Sequence, residues 1–182
     1  MSTVARKPWV GEELVRLPEG WRYEIDEGEL VIMAPAGFEH GRILSLVDAL
    51  LRAFVQAHRL GEVVSGDVGI FLGRGPDTLR APDVAFYSRE GLQQIRDRTG
   101  FPQVAPDLAV EVHDPTEPDL TRKVHQYLQA GVRAVWVVDP QVRSLTRYAP
   151  GEQATVWSDP ADVVEEPVLP GFRFHLREVF GN

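Results

Sequence analysis

Two acidic residues stand inside apolar, strand-forming runs: Asp83 in Arg-Ala-Pro-Asp-Val-Ala-Phe (80–86) and Glu111 in Pro-Asp-Leu-Ala-Val-Glu-Val (106–112). A carboxylate buried in a strand costs on the order of several kcal/mol unless something compensates it. A chain that keeps two of them, with Lys123 close behind, holds the ingredients to grip a cation and activate water. If the two strands are neighbours, both carboxylates reach one ion, and the backbone carbonyl of Val112 is a natural third oxygen ligand. Such an ion polarises a phosphoryl oxygen and lowers the pKa of bound water. Lys123 would then neutralise charge building on a phosphate or orient the attacking water. The structural alternative is an ion pair of Glu111 with Lys123 or Arg122. His113, two residues past Glu111, is either a base or third ligand, or a loop histidine bonded to backbone. With Cys 0, metal ligands are limited to Asp, Glu and His, and oxygen donors point to magnesium, manganese or calcium.

The elements that must position these groups follow from periodicity. Residues 21–26 and 29–34 alternate apolar and polar around Glu27-Gly28, the pattern of a hairpin. From about 39 to 58, Ile43, Leu44, Leu46, Val47, Leu50, Leu51, Phe54 and Val55 recur at helical spacing, and Gly61 stands where a C-terminal cap belongs. Two strand-like runs, 62–72 and 79–87, flank the turn-rich 73–77 and are expected to pair as antiparallel neighbours. Ser88 caps a short helix through 95–96, and 99–102 reads as a loop.

The run 108–112 is apolar and nearly unbroken, as an interior strand should be, and 113–118 is the loop leaving it. Asp119 opens a helix to Ala130 with Gly131 as its left-handed cap, and Val132 to Asp139 forms a second buried strand stopped by Pro140. On that helix Lys123 and Tyr127 lie one turn apart on one face. Strand, helix and strand make a crossover unit within one sheet. Shorter strands are expected at 144–148, 155–157 and 166–174. The sum is an α/β or α+β domain around a mixed sheet.

At 182 residues the chain fits one domain. Apolar residues at 43% and charged residues at 25% fit an ordinary folded protein. No apolar run approaches the roughly 20 residues of a membrane span, and the start lacks the apolar centre of a secretion signal, so the expected place is the cytoplasm. The net charge of -8 argues against broad attraction to nucleic acid. Arg89, Arg96, Arg98, Arg122, Lys123 and Arg133 could still make a local basic face, or be scattered solvated charge.

The residues and their order resemble the PD-(D/E)XK nuclease superfamily, whose core runs αβββαβ, and within it the Uma-type restriction endonuclease family. The resemblance rests on Tyr23-Glu24-Ile-Asp with Gly28, His40-Gly-Arg-Ile, Ala81-Pro-Asp-Val, Pro106-Asp-Leu-Ala-Val-Glu-Val, Lys123 with Tyr127, Gly131-Val and Trp136-Val-Val-Asp-Pro. It implies a restriction-endonuclease-like core with an N-terminal β-hairpin and a C-terminal β extension. Asp83 and Glu111 would be the metal-binding acids and Lys123 the catalytic lysine. The superfamily pattern places lysine two positions after the acid, where this chain has His113. Lys123 and Tyr127 instead resemble the helical Gln and Tyr motif of recombination-type nucleases.

Glu24, Glu39 and His40 match positions resembling an outer shell, although Glu39 also suits the positive end of a helix dipole. Asp107 repeats the Pro-Asp pattern but sits on the same strand as Glu111 and fits the acid's role less well. Trp136 and Asp139 read as a packing residue and a turn acid.

The implied activity is a magnesium- or manganese-dependent endonuclease on DNA, double-stranded in first expectation. One site per chain makes double-strand cleavage the work of a homodimer, for which the C-terminal strands offer an edge. Two other readings stay open: a non-catalytic interaction or regulatory domain with an idle site, and a hydrolase of a small phosphate ester.

Overall fold

The computed structural model describes residues 7–115 and 120–181. After a 3-10 helix, Gly11–Arg16, come β1 (Arg22–Asp26), β2 (Glu29–Met33), α1 (Phe38–His58), β3 (Gly61–Ser65), β4 (Ile70–Gly73), β5 (Thr78–Arg80), β6 (Val84–Ser88) and α2 (Arg89–Gln94). The second half holds β7 (Leu108–Val112), α3 (Leu120–Gln129), β8 (Ala134–Asp139), β9 (Ser144–Tyr148), β10 (Thr155–Trp157), β11 (Val163–Glu165), β12 (Arg173–His175) and α4 (Arg177–Phe180). The central sheet runs β10-β9-β8-β7-β6-β3. Only β7 and β8 are parallel, joined through α3; the other pairs are antiparallel. Taking α1, β3, β6, β7, α3 and β8 in order gives αβββαβ, as expected.

Alternation decides what each face of that sheet meets. Leu108, Val110 and Val112 of β7, with Val84, Phe86, Trp136 and Val138, pack under Ile43, Val47, Leu51 and Val55 of α1. Those four helical residues recur every fourth position, which makes one stripe, and each fully buried aliphatic is worth about 1.5–3 kcal/mol. Ala109 and Val135 face the other way, onto Val124 and Tyr127 of α3. The sheet therefore lies between α1 and α3, and Glu111, in step with Ala109, faces α3.

The two long strand-like runs pair as expected but are split. The first breaks at Gly66-Asp67, both at positive φ; the second breaks at Ala81-Pro82-Asp83. Hence β3 pairs with β6 in the central sheet, whereas β4 and β5 join the hairpin in a second sheet, β2-β1-β5-β4. The cap of α1 also differs from expectation. Arg59, in left-handed conformation, closes the helix through its N–H to the Val55 and Gln56 carbonyls, and Gly61 begins β3, where a Cβ would run into the Tyr87 carbonyl.

Ser88 caps α2 as expected, accepting from Gly91 N at 3.2 Å. The expected helix start at Asp119 lies outside the described residues, and Gly131 adopts the expected positive φ. Of the segment expected as strand at 166–174, only Arg173 and Phe174 are, at the start of β12; 166–172 turn between β11 and β12. Pro167, Pro170 and Gly171 explain this, since proline cannot donate to a ladder. Inside that turn Glu166 is buried and accepts from Trp136 Nε1 at 2.7 Å and Arg147 Nε at 3.1 Å, tying the C-terminal hairpin to the sheet. Asp139 holds the turn after β8 through Gln141 N and Val142 N. No described helix is long and apolar enough to cross a membrane.

Candidate active site

The ladder between β6 and β7 pairs Val84 with Val110, Ala85 with Ala109 and Phe86 with Leu108. Continued by one step, that register would set Asp83 opposite Glu111, and by one more it would pair residue 82 with Val112. That last rung does not close. Pro82 has no N–H to offer the Val112 carbonyl, and Val112 N donates instead to Asp83 Oδ2 at 2.7 Å. A proline thus turns the strand aside, and the aspartate side chain takes over a backbone bond. The Val112 carbonyl points to the same edge as its N–H, as in any extended residue.

Asp83 is 2% exposed. Its Oδ2 also lies 3.3 Å from His40 Nε2, in the first turn of α1, and its Oδ1 lies 3.5 Å from Arg22 NH2. The hydrogen bond to Asp83 raises the pKa of His40 against the opposing effect of burial. The second nitrogen of that ring, Nδ1, is buried without a hydrogen-bond partner.

Glu111, 1% exposed, takes a bond on each oxygen. Lys123 Nζ donates to Oε2 at 2.9 Å and the Tyr127 hydroxyl to Oε1 at 2.7 Å. Their four-residue spacing on α3 sets both side chains over the same strand end. Burial, with the nearby Glu111 and Glu24 charges, lifts the Tyr127 pKa well above its usual value, so the phenol stays a donor. Lys123, 2% exposed, also reaches Glu24 Oε1 at 3.1 Å.

The hairpin delivers Glu24. Ile25 lies opposite Leu79 in a small apolar cluster, so the alternate residues Glu24, Asp26 and Arg80 share the opposite face, toward α3. Arg80 NH1 bonds Glu24 Oε2 at 3.0 Å, its NH2 lies 2.9 Å from Asp26 Oδ2, and its Nε bonds Gln126 Oε1 at 2.8 Å. Ala81 N adds a bond to Glu24 Oε1 at 2.9 Å. Burial works against the charge on Arg80, but Glu24 and Asp26 outweigh it and its pKa is raised. Arg122 Nε (3.1 Å) and Gln126 Nε2 (2.7 Å) of α3 complete the grip on Asp26.

Asp83, Glu111, Lys123, Tyr127, Glu24 and His40 are therefore brought to one end of the central sheet. Glu39 is not: it is exposed and pairs with Arg42 at 2.6 Å. His113 lies beside the centre through its place after Val112. Its N–H bonds the Val138 carbonyl at 2.8 Å, and its Nδ1 is buried without a partner. Asp107, at the other end of β7, accepts from Ser88 N at 2.7 Å and Arg133 NH1 at 3.2 Å. The suggested basic face does not form as one free patch. Lys123 is buried, Arg98 pairs with Glu62, Arg122 with Asp26 and Arg133 with Asp107. Arg80, Asp26, Gln126 and Arg22 escaped sequence reasoning. The only local signal was the alternation in Arg22-Tyr-Glu-Ile-Asp, which put three charges on one face.

Among the described residues, no three His, Asp or Glu side chains form a group able to hold a metal ion. Two carboxylates and one backbone carbonyl still fit magnesium or manganese. Magnesium keeps several waters and is commonly held by one or two carboxylates plus substrate phosphate. A fully protein-ligated zinc site would not fit this donor set.

A family model named Uma2 and described as "Putative restriction endonuclease" matches residues 12–177. Among solved structures, the chain is similar to one described as "a putative nuclease belonging to DUF820 from Anabaena variabilis", at a TM-score of 0.79 and 22% identity, over 95% of this chain and 98% of that one. At that identity the likeness speaks for the fold. No curated protein matches the chain.

Proposed function

From a chain that belongs to the Uma2 restriction endonuclease family, we propose a single-domain, divalent-metal-dependent endonuclease that hydrolyses phosphodiester bonds in DNA in the cytoplasm. The carrying observation is the unclosed rung at Pro82. It leaves two buried carboxylates and a strand carbonyl at one sheet end, with a buried ammonium bonded to one of them.

In this reading Asp83, Glu111 and the Val112 carbonyl would hold magnesium or manganese. When bound, that ion supplies charge to a phosphoryl oxygen and acidifies water. Val112 N and His40 fix the Asp83 carboxylate; the Tyr127 hydroxyl and Lys123 fix Glu111. Lys123 has a second task, to place positive charge where the pentavalent phosphorane gathers negative charge. Glu24 and Arg80 hold the ammonium over the strand end. Two inner carboxylates, Glu24 and Glu111, face two inner cations, Lys123 and Arg80, so this part of the network is balanced in charge. A homodimer would set two such centres on opposite strands.

Purified protein with magnesium or manganese should nick supercoiled plasmid, and Asp83→Ala or Glu111→Ala should abolish nicking. Nicking that survives both substitutions removes these residues from the reaction. The balanced network itself favours a second reading, an idle structural site in a regulatory domain. Manganese titration calorimetry separates the two: an idle site gives no heat dependent on Asp83 and Glu111.

A further inference from the structure

Alternation along β1 puts Arg22 on the same face as Glu24 and Asp26. The hairpin thus hands one charge to each half of the centre, Glu24 to the Lys123 ammonium and Arg22 to Asp83. The two contacts differ in quality. Lys123 lies buried between two carboxylates, at 3.1 Å from Glu24 and 2.9 Å from Glu111. Arg22 NH2 stands 3.5 Å from Asp83 Oδ1, beyond the usual range of about 2.7–3.2 Å for such a bond. Its Nε lies 2.7 Å from Asp67 Oδ1. Asp67, between β3 and β4, is therefore the firmer hold on that guanidinium, and Asp83 the looser one.

The loosely held oxygen is the one an ion would need. Oδ2 of Asp83 accepts from Val112 N at 2.7 Å and lies 3.3 Å from His40 Nε2, so two donors already occupy it. Oδ1, whose polar partner among the described residues is Arg22, is left to meet a cation. An ion on Oδ1 and a guanidinium beside it are like charges around one atom, and they repel. The Arg22 side chain is 19% exposed against 2% for Lys123. Of these two cations, Arg22 has the way out to the solvent from which a substrate phosphate arrives.

We propose that Arg22 is a further catalytic residue with two positions. Without the ion its NH2 group neutralises Asp83. With Oδ1 given to the ion, Asp67 keeps hold of Nε and the rest of the guanidinium turns to a non-bridging oxygen of the phosphodiester. Arginine suits this exchange, because its rigid fork carries several donors, and one can stay while another changes partner. The proposal rests on the nuclease reading and adds to it a coupling. The ion drives Arg22 from Asp83 and a phosphate draws it away, so each favours the binding of the other, reciprocally.

Titration calorimetry with manganese, in the absence of nucleic acid, tests the first position. Arg22→Met keeps the aliphatic stem, removes the fork and should tighten manganese binding roughly 3- to 30-fold, because Asp83 Oδ1 no longer has a partner to give up. Arg122→Gln removes a cation held on Asp26 instead and should leave that affinity unchanged. A phosphorothioate oligonucleotide, which resists cleavage, should tighten manganese binding to wild type and do so less in Arg22→Met. At saturating manganese, plasmid nicking by Arg22→Met should fall roughly 10- to 1,000-fold. Wild-type manganese affinity or undiminished nicking in Arg22→Met overturns the proposal. Equal tightening in Arg122→Gln does so too, since it assigns the effect to net charge. So does a wild-type protein without coupling between oligonucleotide and manganese, a measurement that needs no variant. If manganese heat depends on Asp83 and Glu111 while Arg22→Met binds as wild type does, the role of Arg22 fails alone. If neither protein gives heat that depends on these acids, the proposed centre fails and this role with it.

Discussion

Replacing Lys123 with alanine exposes the energetic logic of the centre. Its ammonium lies between Glu24 (3.1 Å) and Glu111 (2.9 Å), both 1% exposed. Removing one member of a buried ion pair typically costs about 3–5 kcal/mol, because the remaining charge stays buried and uncompensated. Here each carboxylate keeps other donors: Arg80 and Ala81 N for Glu24, the Tyr127 hydroxyl for Glu111. The loss should therefore fall near the lower bound, about 3 kcal/mol, which in a domain of this size lowers the melting temperature by about 6–12 °C. Thermal or urea unfolding measures it directly. Adding Glu111→Gln should return about 1–2 kcal/mol of the loss, since one stranded charge is then gone, whereas two independent sites would simply add. A Lys123→Ala protein as stable as wild type, or strictly additive costs in the double variant, would refute the picture of a closed buried network.

Tyr127→Phe deletes only the donor to Glu111 Oε1 and should cost about 1–3 kcal/mol in urea unfolding, the penalty of an acceptor left without its bond. Asp26 tests the hairpin's attachment to α3. Burial raises its pKa, but Gln126, Arg80 and Arg122 lower it more, so the net shift is downward. A depressed carboxylate contributes stability that is present above its unfolded value of 3.8 and is lost as pH falls through the folded value. Asp26→Asn should accordingly flatten the fall of stability below about pH 4 and leave its slope near neutrality unchanged. At Gly61 an added Cβ would collide with the Tyr87 carbonyl, so Gly61→Ala should lower stability by about 1–3 kcal/mol, read as a shift in the urea midpoint.

The centre was legible where chemistry and local pattern coincide. Leu-Ala-Val-Glu-Val announces a buried strand with one acid out of place, Glu27-Gly28 announces a hairpin, and Lys123 and Tyr127 announce one helical face. What escaped depends on contacts remote in sequence. Nothing local marks Arg80, which is buried because Glu24 and Asp26 reach it from a hairpin more than fifty positions earlier. Periodicity identifies strands but not their sheet partners. The antiparallel pairing of the two long runs is legible, but the division of both between two sheets at Gly66 and Pro82 is not. At the C-terminal end, apolar content makes 166–174 resemble a strand, but its prolines and Gly171 bend 166–172 into a turn around buried Glu166.

Pro82 carries no charge and touches no substrate in any scheme above, yet the geometry of the centre descends from its ring. Any other residue there would restore an amide hydrogen able to compete for the Val112 carbonyl. Such a change could silence the chemistry while every acid and base stayed in the sequence. In lineages of this fold, loss of activity can therefore hide in the backbone, at a position that a search for missing catalytic side chains would pass over.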